Sequence, residues 1–374
     1  MKITLIGPVF PFRGGIAHYT TMLAKQLTGK HEIQVISYKK QYPGLLYPGK
    51  SDKDPSREVL ALNVNAVFLI DSVNPWTWWK TGRYLRETSP DLLIAQWWVT
   101  FMAPSLAWII RMARKLGIPV LMIVHNVLPH EEHWWDRILA RLALHKVNFF
   151  IVHSPEEENR LLRLVPEAPV TVTPFPIYES LNFNDYSQKE AREFLGVPDH
   201  GPIILFFGIV RDYKGLDVLL DALAVLRDRG TKVFLIVAGE FWSDIKPYLN
   251  QIDRLKIESE IRIENRYIPN EEVALYFSAA NILVAPYSAG TQSASAALGL
   301  AFGLPIILTH RIAQGLDPQC KDQVKVIPPK DPRALAEAIA SMISVKGQIG
   351  KVKQTVHYDS WKALEETISN FSSK

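Results

Sequence analysis

The strongest constraint on the fold is an alternation, repeated in both halves of the chain, between short apolar runs and longer amphipathic stretches. Helical periodicity follows several of these runs, at residues 17–27, 107–116, 215–229 and 270–279. Continuously apolar strands with intervening helices predict parallel sheets covered on both faces. The expected fold class is therefore α/β, with two doubly wound, Rossmann-like domains. The predicted strands of the first half are "KITLIG", "EIQVISY", "AVFLI", "DLLIAQ", "PVLMIVH", "FFIVHS" and "VTVTPF", and those of the second half are "PIILFFG", "VFLIVAG", "IRIEN", "ILVAPY", "PIILTH" and "KVIPP".

The boundary between the domains is predicted in a proline-rich, weakly periodic segment, "FPIYESLNFNDYSQKEAREFLGVPDHGP". A length of 374 residues exceeds what one hydrophobic core usually serves. We assign residues 1–180 to the first domain and 181–356 to the second. The last segment, 357–374, is predicted to form an amphipathic helix that packs back on the first domain. Its apolar residues at helical spacing are Trp361, Leu364, Ile368 and Phe371.

Charge and cysteine content narrow the function classes. A net charge of +4 is too small to predict nucleic-acid binding, although it suits an anionic substrate or an anionic membrane surface. The single cysteine, Cys320, excludes an internal disulfide and a multi-cysteine metal site, and with an amino terminus unlike a signal peptide it predicts a cytoplasmic protein. Residues 281–310 carry no Asp, Glu, Lys or Arg, but prolines and glycines interrupt the run, so no membrane span is predicted.

Ligands of open α/β sheets bind beyond the carboxyl ends of the strands, which makes the loops there the candidate sites. The first such loop carries Gly14 and Gly15 just before a helix, where backbone N–H groups can face an anion; a tight strand-to-helix turn would use the same glycines. In the second loop, "IVHNVLPHEEHWWDR", His125 ends a strand. It can hydrogen-bond a hydroxyl or phosphate group of a substrate, or it can have a purely structural role. The histidines and glutamates after it lack the spacing of a helical zinc site, so no metal is predicted.

Two further loops lie in the second half. Arg211 and Lys214 stand between a strand and a helix, where two cations suit a diphosphate, although a basic pair in a surface loop is commonly just solvated. The other loop, "SAG", precedes a helix of small residues, "TQSASAALGLAFG", with Thr291 and Ser293 as candidate N-caps. Its first N–H groups and its dipole favour a phosphate, whereas close packing in the core would also explain the small residues.

Together these loops resemble the retaining, nucleotide-sugar-dependent α-glycosyltransferases of family 4, whose two Rossmann-like domains face each other across a cleft (the GT-B fold). The resemblance implies transfer of a sugar from a UDP- or GDP-sugar to an acceptor hydroxyl with retention, without a metal or another cofactor. It assigns the acceptor to the first domain and the donor to the second. The matching segments are "GGIAHYTTMLAKQL", "HNVLPHE", "FGIVRDYKGLDVLLDAL", "VAGE", "YIPNEEVALYFSAANILVAPY" and "ALGLAFGLPIIL".

The resemblance also implies roles for single residues. Gly14 and Gly15 match a glycine loop that touches the diphosphate or the acceptor, and His125 matches a histidine that faces the transferred sugar. Arg211 and Lys214 match the pair that neutralises the leaving diphosphate, although Arg211 stands closer to the lysine than is commonest. Contacts to the nucleotide base come, in the family, from the backbone of the segment that matches Arg266, Tyr267 and Ile268. Apart from the resemblance, the helix start is expected to contact a phosphate through Thr291, Gln292, Ser293 and Ala294, and Glu240 is expected to contact the nucleotide.

One departure from the family pattern concerns two glutamates that stand eight positions apart. Aligned on the "GLP" ending, these positions are Gly290 and Leu298, so both carboxylates are missing. The second one holds the ribose hydroxyls in the family, a role that Glu240 is expected to take here. A catalytically silent nucleotide-sugar-binding protein, an inverting transferase and a sugar-nucleotide epimerase therefore remain open.

The acceptor is the least defined substrate: a glycan, a lipid-linked molecule or a small molecule. The first domain is rich in tryptophan, near Arg111, Arg114 and Lys115. Such side chains suit peripheral contact with the anionic inner face of a membrane, but they also stack on sugar rings or fill the core. The tryptophans are Trp76, Trp78, Trp79, Trp97, Trp98, Trp134 and Trp135.

Overall fold

The computed structural model describes residues 1–43, 47, 49–56, 64–129, 132–177, 186–345 and 361–371. These residues form two compact units that part between Phe175 and Pro176. The predicted boundary at 180/181 lies outside the described residues. The helix at the carboxyl end belongs to the first unit, whereas residues 55–56 belong to the second although the chain on both sides of them lies in the first.

The described part of the first unit holds one sheet of seven parallel strands in the order β3-β2-β1-β4-β5-β6-β7. The strands are β1 (Lys2–Ile6), β2 (Glu32–Lys40), β3 (Ala66–Asp71), β4 (Leu92–Trp97), β5 (Val120–Val124), β6 (Phe149–Val152) and β7 (Val170–Val172). The helices are α1 (Gly15–Thr28), α2 (Pro75–Thr88), α3 (Ala103–Lys115), α4 (Trp134–Leu144), α5 (Pro155–Leu164) and, at the carboxyl end, α13 (Lys362–Phe371).

The helices of the first unit cover both faces of its sheet. Every residue of β4 and β5 is buried, as expected for central strands packed on both sides. The crossovers from β3 to β4, β4 to β5 and β5 to β6 all step in the same direction along the sheet, so right-handed connections place α2, α3 and α4 on one face. The crossover from β1 to β2 steps the other way, which places α1 on the opposite face.

Helix α13 packs back on this unit through aromatic contacts. The Trp361 ring lies 5.3 Å from that of Tyr19 in α1, and Phe371 stacks on Phe149 at 4.7 Å, as measured between ring centroids. Glu365 also forms an ion pair with Lys30. The predicted range, 357–374, extends at both ends beyond the described residues.

The described part of the second unit holds six parallel strands in the order β10-β9-β8-β11-β12-β13. They are β8 (Ile203–Phe207), β9 (Phe234–Ala238), β10 (Ile261–Glu264), β11 (Ile282–Ala285), β12 (Ile306–Thr309) and β13 (Val324–Ile327). The helices are α6 (Gln188–Leu195), α7 (Leu216–Asp228), α8 (Lys246–Leu255), α9 (Asn270–Ala279), α10 (Ala294–Ala301), α11 (His310–Ala313) and α12 (Pro332–Val345).

The predicted fold class, α/β with two Rossmann-like domains, is confirmed, and each predicted strand is present. The helix predicted from Thr291 begins later, at Ala294, because the Ser293 hydroxyl accepts a hydrogen bond from the N–H of Ala296 and so caps the first turn. No helix in the described part of the chain is both long enough and apolar enough to cross a bilayer.

Candidate active site

The topology of the second unit defines one switch point. Strands β8, β9 and β10 follow one another in one direction along the sheet, and β11, β12 and β13 in the other, so the switch lies between β8 and β11. Ser288, after β11, joins the two loops there: its N–H donates to the carbonyl of Tyr213 at 2.7 Å, and its hydroxyl donates to the same oxygen at 3.1 Å. In open α/β sheets, this is the edge at which ligands bind.

The predicted pair of cations lies in the loop after β8. Arg211 precedes one 3₁₀ turn, Asp212–Lys214, and its guanidinium carbon lies 5.5 Å from the centre of the Tyr213 ring. The Lys214 ammonium lies 5.2 Å from the centre of the Tyr287 ring. It is also 3.5 Å from the point that a Cβ on Gly208 would occupy. The loop therefore places a half-buried cation between the ends of β8 and β11.

Two glycines, Gly208 and Gly239, bring the backbone close together just after the ends of β8 and β9. A Cβ on Gly239 would overlap the carbonyl oxygen of Gly208. Beyond them the N–H of Val210 donates to the carbonyl of Glu240 at 2.9 Å. The Glu240 side chain is 4% exposed, and its Oε2 accepts a hydrogen bond from the indole N–H of Trp242 at 3.2 Å. The carboxylate thus lies one strand away from the switch point.

The amino-terminal end of α10 lies on the other side of the switch. Thr291 and Ser293 are buried, while Gln292 and Ala294 are half-buried. The hydroxyl of Ser295 lies 2.9 Å from both the Ser293 hydroxyl and the Tyr287 hydroxyl, which makes a chain of three hydroxyl groups. The structure therefore brings this helix end and Lys214 to the same switch point.

Gly290 and Leu298, which stand where the family has two glutamates, differ in their surroundings. Gly290 has a φ of 97°, a left-handed conformation that favours glycine, and lies in the loop before α10. Leu298 lies within α10 and is 6% exposed, buried with the apolar residues of that helix. Tyr267 and Ile268 follow β10 at the same edge of the sheet, but two strands away from β8.

In the first unit, His125 and the glycine turn both lie at the carboxyl edge of the sheet. Gly14, with a φ of 100°, precedes α1, and Gly15 is the first residue of that helix. A Cβ at Gly14 would meet nothing within 4 Å, so the turn is open. His125 follows β5, is 2% exposed, and its Nε2 lies 2.7 Å from Oε1 of Gln96. Burial, with His153 nearby, lowers the pKa of His125 well below its usual value.

The loop after His125 is held by two buried groups, Glu157, which the sequence did not indicate, and Trp97. Oε2 of Glu157, in α5, accepts a hydrogen bond from the N–H of Val127 at 2.6 Å. The indole N–H of Trp97 donates to the carbonyl of Val127 at 3.2 Å. The Tyr19 ring meets the His125 ring edge-on, with 4.6 Å between ring centroids. The contact with Gln96 and the edge-on Tyr19 ring therefore orient the buried His125 ring.

His153 is a second buried histidine, and sequence reasoning missed it. It follows β6 as His125 follows β5, and this repeat within "FFIVHS" is the signal that could have found it. Its Nδ1–H donates to the carbonyl of Thr173 at 3.0 Å, so its Nε2 accepts from the Tyr19 hydroxyl at 3.0 Å. Burial lowers the pKa of His153 to about 4.

The depressed pKa of His153 predicts a loss of stability in acid. Between pH 6.5 and about 4 the unfolded chain binds a proton that the folded chain does not, so the free energy of unfolding falls as the pH decreases through that window. From about pH 7.5 to about pH 5, we expect wild type to lose about 2 kcal/mol more than His153→Gln does, measured by urea denaturation. Equal losses in the two proteins would contradict a neutral, buried His153.

The structure describes no metal site. No group of three or more His, Cys, Asp or Glu side chains that could hold a metal ion occurs among the described residues. Of the residues that follow His125, His130 and Glu131 lie outside the described part of the chain.

Sequence comparison places both units in glycosyltransferase families. Residues 13–179 match the family described as "Glycosyltransferase Family 4", and residues 201–344 match "Glycosyl transferases group 1". The chain belongs to glycosyltransferase family 4. Between them the two matches span both units, so the predicted family is confirmed.

Curated relatives of this family 4 glycosyltransferase are distant. The chain is 26% identical to the D-inositol 3-phosphate glycosyltransferase of Thermobifida fusca, over 68% of this chain and 62% of the relative. It is 27% identical to the alpha-monoglucosyldiacylglycerol synthase of Streptococcus pneumoniae, over 52% of this chain and 47% of that relative. The match thus spans less than two thirds of the length of these relatives.

Solved structures share the fold of this family 4 glycosyltransferase. The sucrose-phosphate synthase of Thermosynechococcus elongatus is 18% identical, with a TM-score of 0.69 over 99% of this chain and 98% of that one. HepE of Anabaena, solved in complex with UDP, is 15% identical, with a TM-score of 0.71 over the whole of both chains. At such low identity these likenesses establish the fold alone.

Proposed function

We propose that this protein transfers a sugar from a nucleoside-diphosphate sugar to an acceptor hydroxyl with retention of the anomeric configuration. The observation that carries the proposal is the position of Lys214 at the switch point, opposite the amino-terminal end of α10. A cation and a helix N-terminus that meet at the carboxyl edge of a parallel sheet suit a diphosphate. The UDP bound in the HepE structure is consistent with such a donor.

In the proposed reaction, the bond between the sugar C1 and the diphosphate oxygen breaks, and its electron pair stays on the diphosphate. The acceptor oxygen bonds to C1 on the same face, and its proton passes to the departing diphosphate. Stabilisation of the negative charge on that leaving group is the largest contribution expected of the protein. Lys214, Arg211 and the first turn of α10 would supply it, so the proposal requires no metal.

The donor is assigned to the second domain and the acceptor to the first. Glu240 is assigned to the ribose hydroxyls in place of the carboxylate missing at Leu298, because it is a buried acid at the end of the neighbouring strand β9. His125 and the glycine turn Gly14–Gly15 are assigned to the transferred sugar and the acceptor. A neutral, buried imidazole can exchange hydrogen bonds with sugar hydroxyls without bringing a charge to them.

The acceptor is proposed to be a glycan or a lipid-linked molecule, and the reaction to take place in the cytoplasm. By their names, one relative acts on an inositol phosphate, and another makes a glucosylated diacylglycerol. The first name indicates a small polar acceptor and the second a lipid acceptor, and both kinds carry a hydroxyl group that can receive a sugar. A small-molecule acceptor is the alternative that the same chemistry allows.

The test is turnover of a panel of UDP- and GDP-sugars, with and without acceptors, in the presence of a chelator. We expect one donor to release its nucleoside diphosphate, faster with acceptor, and the product to keep the donor's anomeric configuration by NMR. An inverted product would overturn retention, and isomerisation of the donor alone would indicate an epimerase. Binding without turnover would indicate a silent nucleotide-sugar-binding protein, the reading that the missing carboxylates at Gly290 and Leu298 favour.

A further inference from the structure

The outer face of the α2–α3–α4 layer carries a set of exposed apolar side chains that the proposed reaction does not use. Along α4, Trp134, Ile138 and Leu142 stand four residues apart and form one stripe. Trp134 is 76% exposed and Ile138 is 61% exposed. We call the following set the tryptophan face: Trp76, Trp79, Trp134, Trp135, Ile138 and Leu142.

The rings of this face are ordered by contacts with one another. At the start of α2, Trp76 stacks on Trp79, with 4.9 Å between ring centroids and an angle of 18° between their planes. At the start of α4, Trp135 stacks on His133 at 4.5 Å, and Trp134 meets the edge of Trp135. Exposed aromatic groups of this size mark a surface that binds a partner.

Among the residues that the structure describes, the exposed charges on α2, α3 and α4 are mostly positive. Helices α2 and α3 each contribute three exposed basic residues and α4 contributes two, Arg137 and Arg141. The acidic Asp136 of α4 is buried, where it accepts hydrogen bonds from the hydroxyl of Thr100 and from the N–H of His133. The exposed Glu87 and Glu132 each pair with an arginine of the same face.

We propose that the tryptophan face docks on the surface of an anionic lipid bilayer. Tryptophan and aliphatic side chains would enter the headgroup region, and the surrounding lysines and arginines would meet the lipid phosphates. A second copy of the chain is a poorer partner, because a symmetric contact would bring eight basic residues of one layer against eight of the other.

The position of the face links it to the candidate site of the first unit. Trp76, Trp134 and Trp135 lie in the first turns of α2 and α4, and these helices start at the carboxyl edge of the sheet. His125 and the Gly14–Gly15 turn lie at the same edge. Docking through this face would hold that edge beside the lipid surface, where a lipid-linked acceptor would present its hydroxyl.

The test is binding of the full-length protein to vesicles, followed by flotation. Vesicles of phosphatidylcholine with about 30% phosphatidylglycerol are compared with vesicles of phosphatidylcholine alone. We expect wild type to bind the anionic vesicles at least about tenfold more tightly, and the binding to weaken as the salt concentration rises. No binding to either vesicle, or equal binding to both without salt dependence, would overturn the proposal.

Two pairs of variants separate the apolar from the ionic contribution. Trp134→Ser/Ile138→Ser is expected to weaken binding to anionic vesicles at least about tenfold, whereas Phe194→Ser, a 76% exposed residue of α6 in the second unit, is not. Arg137→Glu/Arg141→Glu is expected to weaken it similarly, whereas Arg254→Glu in α8 is not. Circular dichroism and melting temperature verify that each variant is folded. Equal losses in the control variants would overturn the assignment to this face.

Light scattering tests whether the tryptophan face binds a second copy of the chain instead of a lipid bilayer. A monomeric wild type at the vesicle-binding concentration supports the proposal. The proposal would be overturned if wild type formed a dimer and did not bind vesicles, and if the substitution Trp134→Ser/Ile138→Ser dissociated that dimer. Because these readouts need no turnover, their outcome is independent of the proposed sugar transfer.

Discussion

Replacing Lys214 by alanine is expected to lower kcat/KM for sugar transfer by roughly 10- to 150-fold. In the proposed mechanism the variant would lose a charge-assisted contact to the leaving diphosphate, and such a contact is worth about 1.5–3 kcal/mol. The loss should appear in kcat more than in KM, because charge on the diphosphate increases as the bond to the sugar breaks. The measurement is steady-state kinetics with the donor identified from the panel.

Two further variants make the test of Lys214 specific. Lys214→Arg keeps a cation at the switch point and should recover part of the lost activity. Lys232→Ala removes an exposed lysine just before β9, at the opposite edge of the same sheet, and should leave turnover unchanged. If Lys214→Ala stays within about threefold of wild type, the assignment of this residue to the diphosphate is wrong, since even the weakest such contact is worth about tenfold.

Replacing Gly239 by alanine is expected to destabilise the second domain by about 3 kcal/mol or more. The added Cβ would overlap the carbonyl oxygen of Gly208, a backbone atom at the end of β8 that cannot move without separating β8 from β9. Urea denaturation should therefore show the transition of the second domain at lower urea concentration, with the transition of the first domain unchanged.

Gly29→Ala is the matched control for this substitution. Gly29 has an ordinary helical φ of −66°, and a Cβ there would meet nothing within 4 Å. Its replacement should be neutral or slightly stabilising, by less than about 1 kcal/mol. A Gly239→Ala protein within about 1 kcal/mol of wild type would show that β8 and β9 do not require this close approach.

Features that depend on short stretches of sequence could be predicted. The strands are predictable because each is a continuous apolar run, which only a sheet covered on both faces buries. Lys214, Ser293 and His125 are predictable as candidates because each comes directly after such a run or its loop. The family resemblance added their proposed roles, and these roles await the experiments described above.

Features that depend on pairing in three dimensions could not be predicted. The hydrogen bond between the Tyr19 hydroxyl and His153 joins α1 to the residue after β6, more than a hundred residues later in the chain. Ser56 belongs to the second unit because its hydroxyl accepts hydrogen bonds from the backbone and side-chain N–H groups of Asn270, each at 2.9 Å. No local pattern reveals such partners. The exposure of Trp134 likewise required the structure, since an apolar residue in a helix is more often buried.

The missing carboxylates at Gly290 and Leu298 could be located from the sequence, but their consequence could not. Leu298 is packed among the apolar residues of α10, so the position that holds the ribose elsewhere in the family contributes only to the core here. Glu240 is the buried acid at the neighbouring strand end, and its environment became visible only in the structure. We therefore expect donor choice to depend on residues outside the usual pair of carboxylates.

Binding of a nucleoside-diphosphate sugar by the second domain can be measured by a thermal-shift titration with the common nucleotide sugars and their free nucleoside diphosphates. A true donor at about 100 times its dissociation constant stabilises the folded protein by about 2.7 kcal/mol, which raises the melting temperature measurably. We expect one nucleotide sugar and its nucleoside diphosphate to raise the melting temperature of wild type, and to raise that of Lys214→Ala much less. If none of them shifts the melting temperature of wild type, the protein does not bind a nucleotide-sugar donor, and the proposed function is wrong.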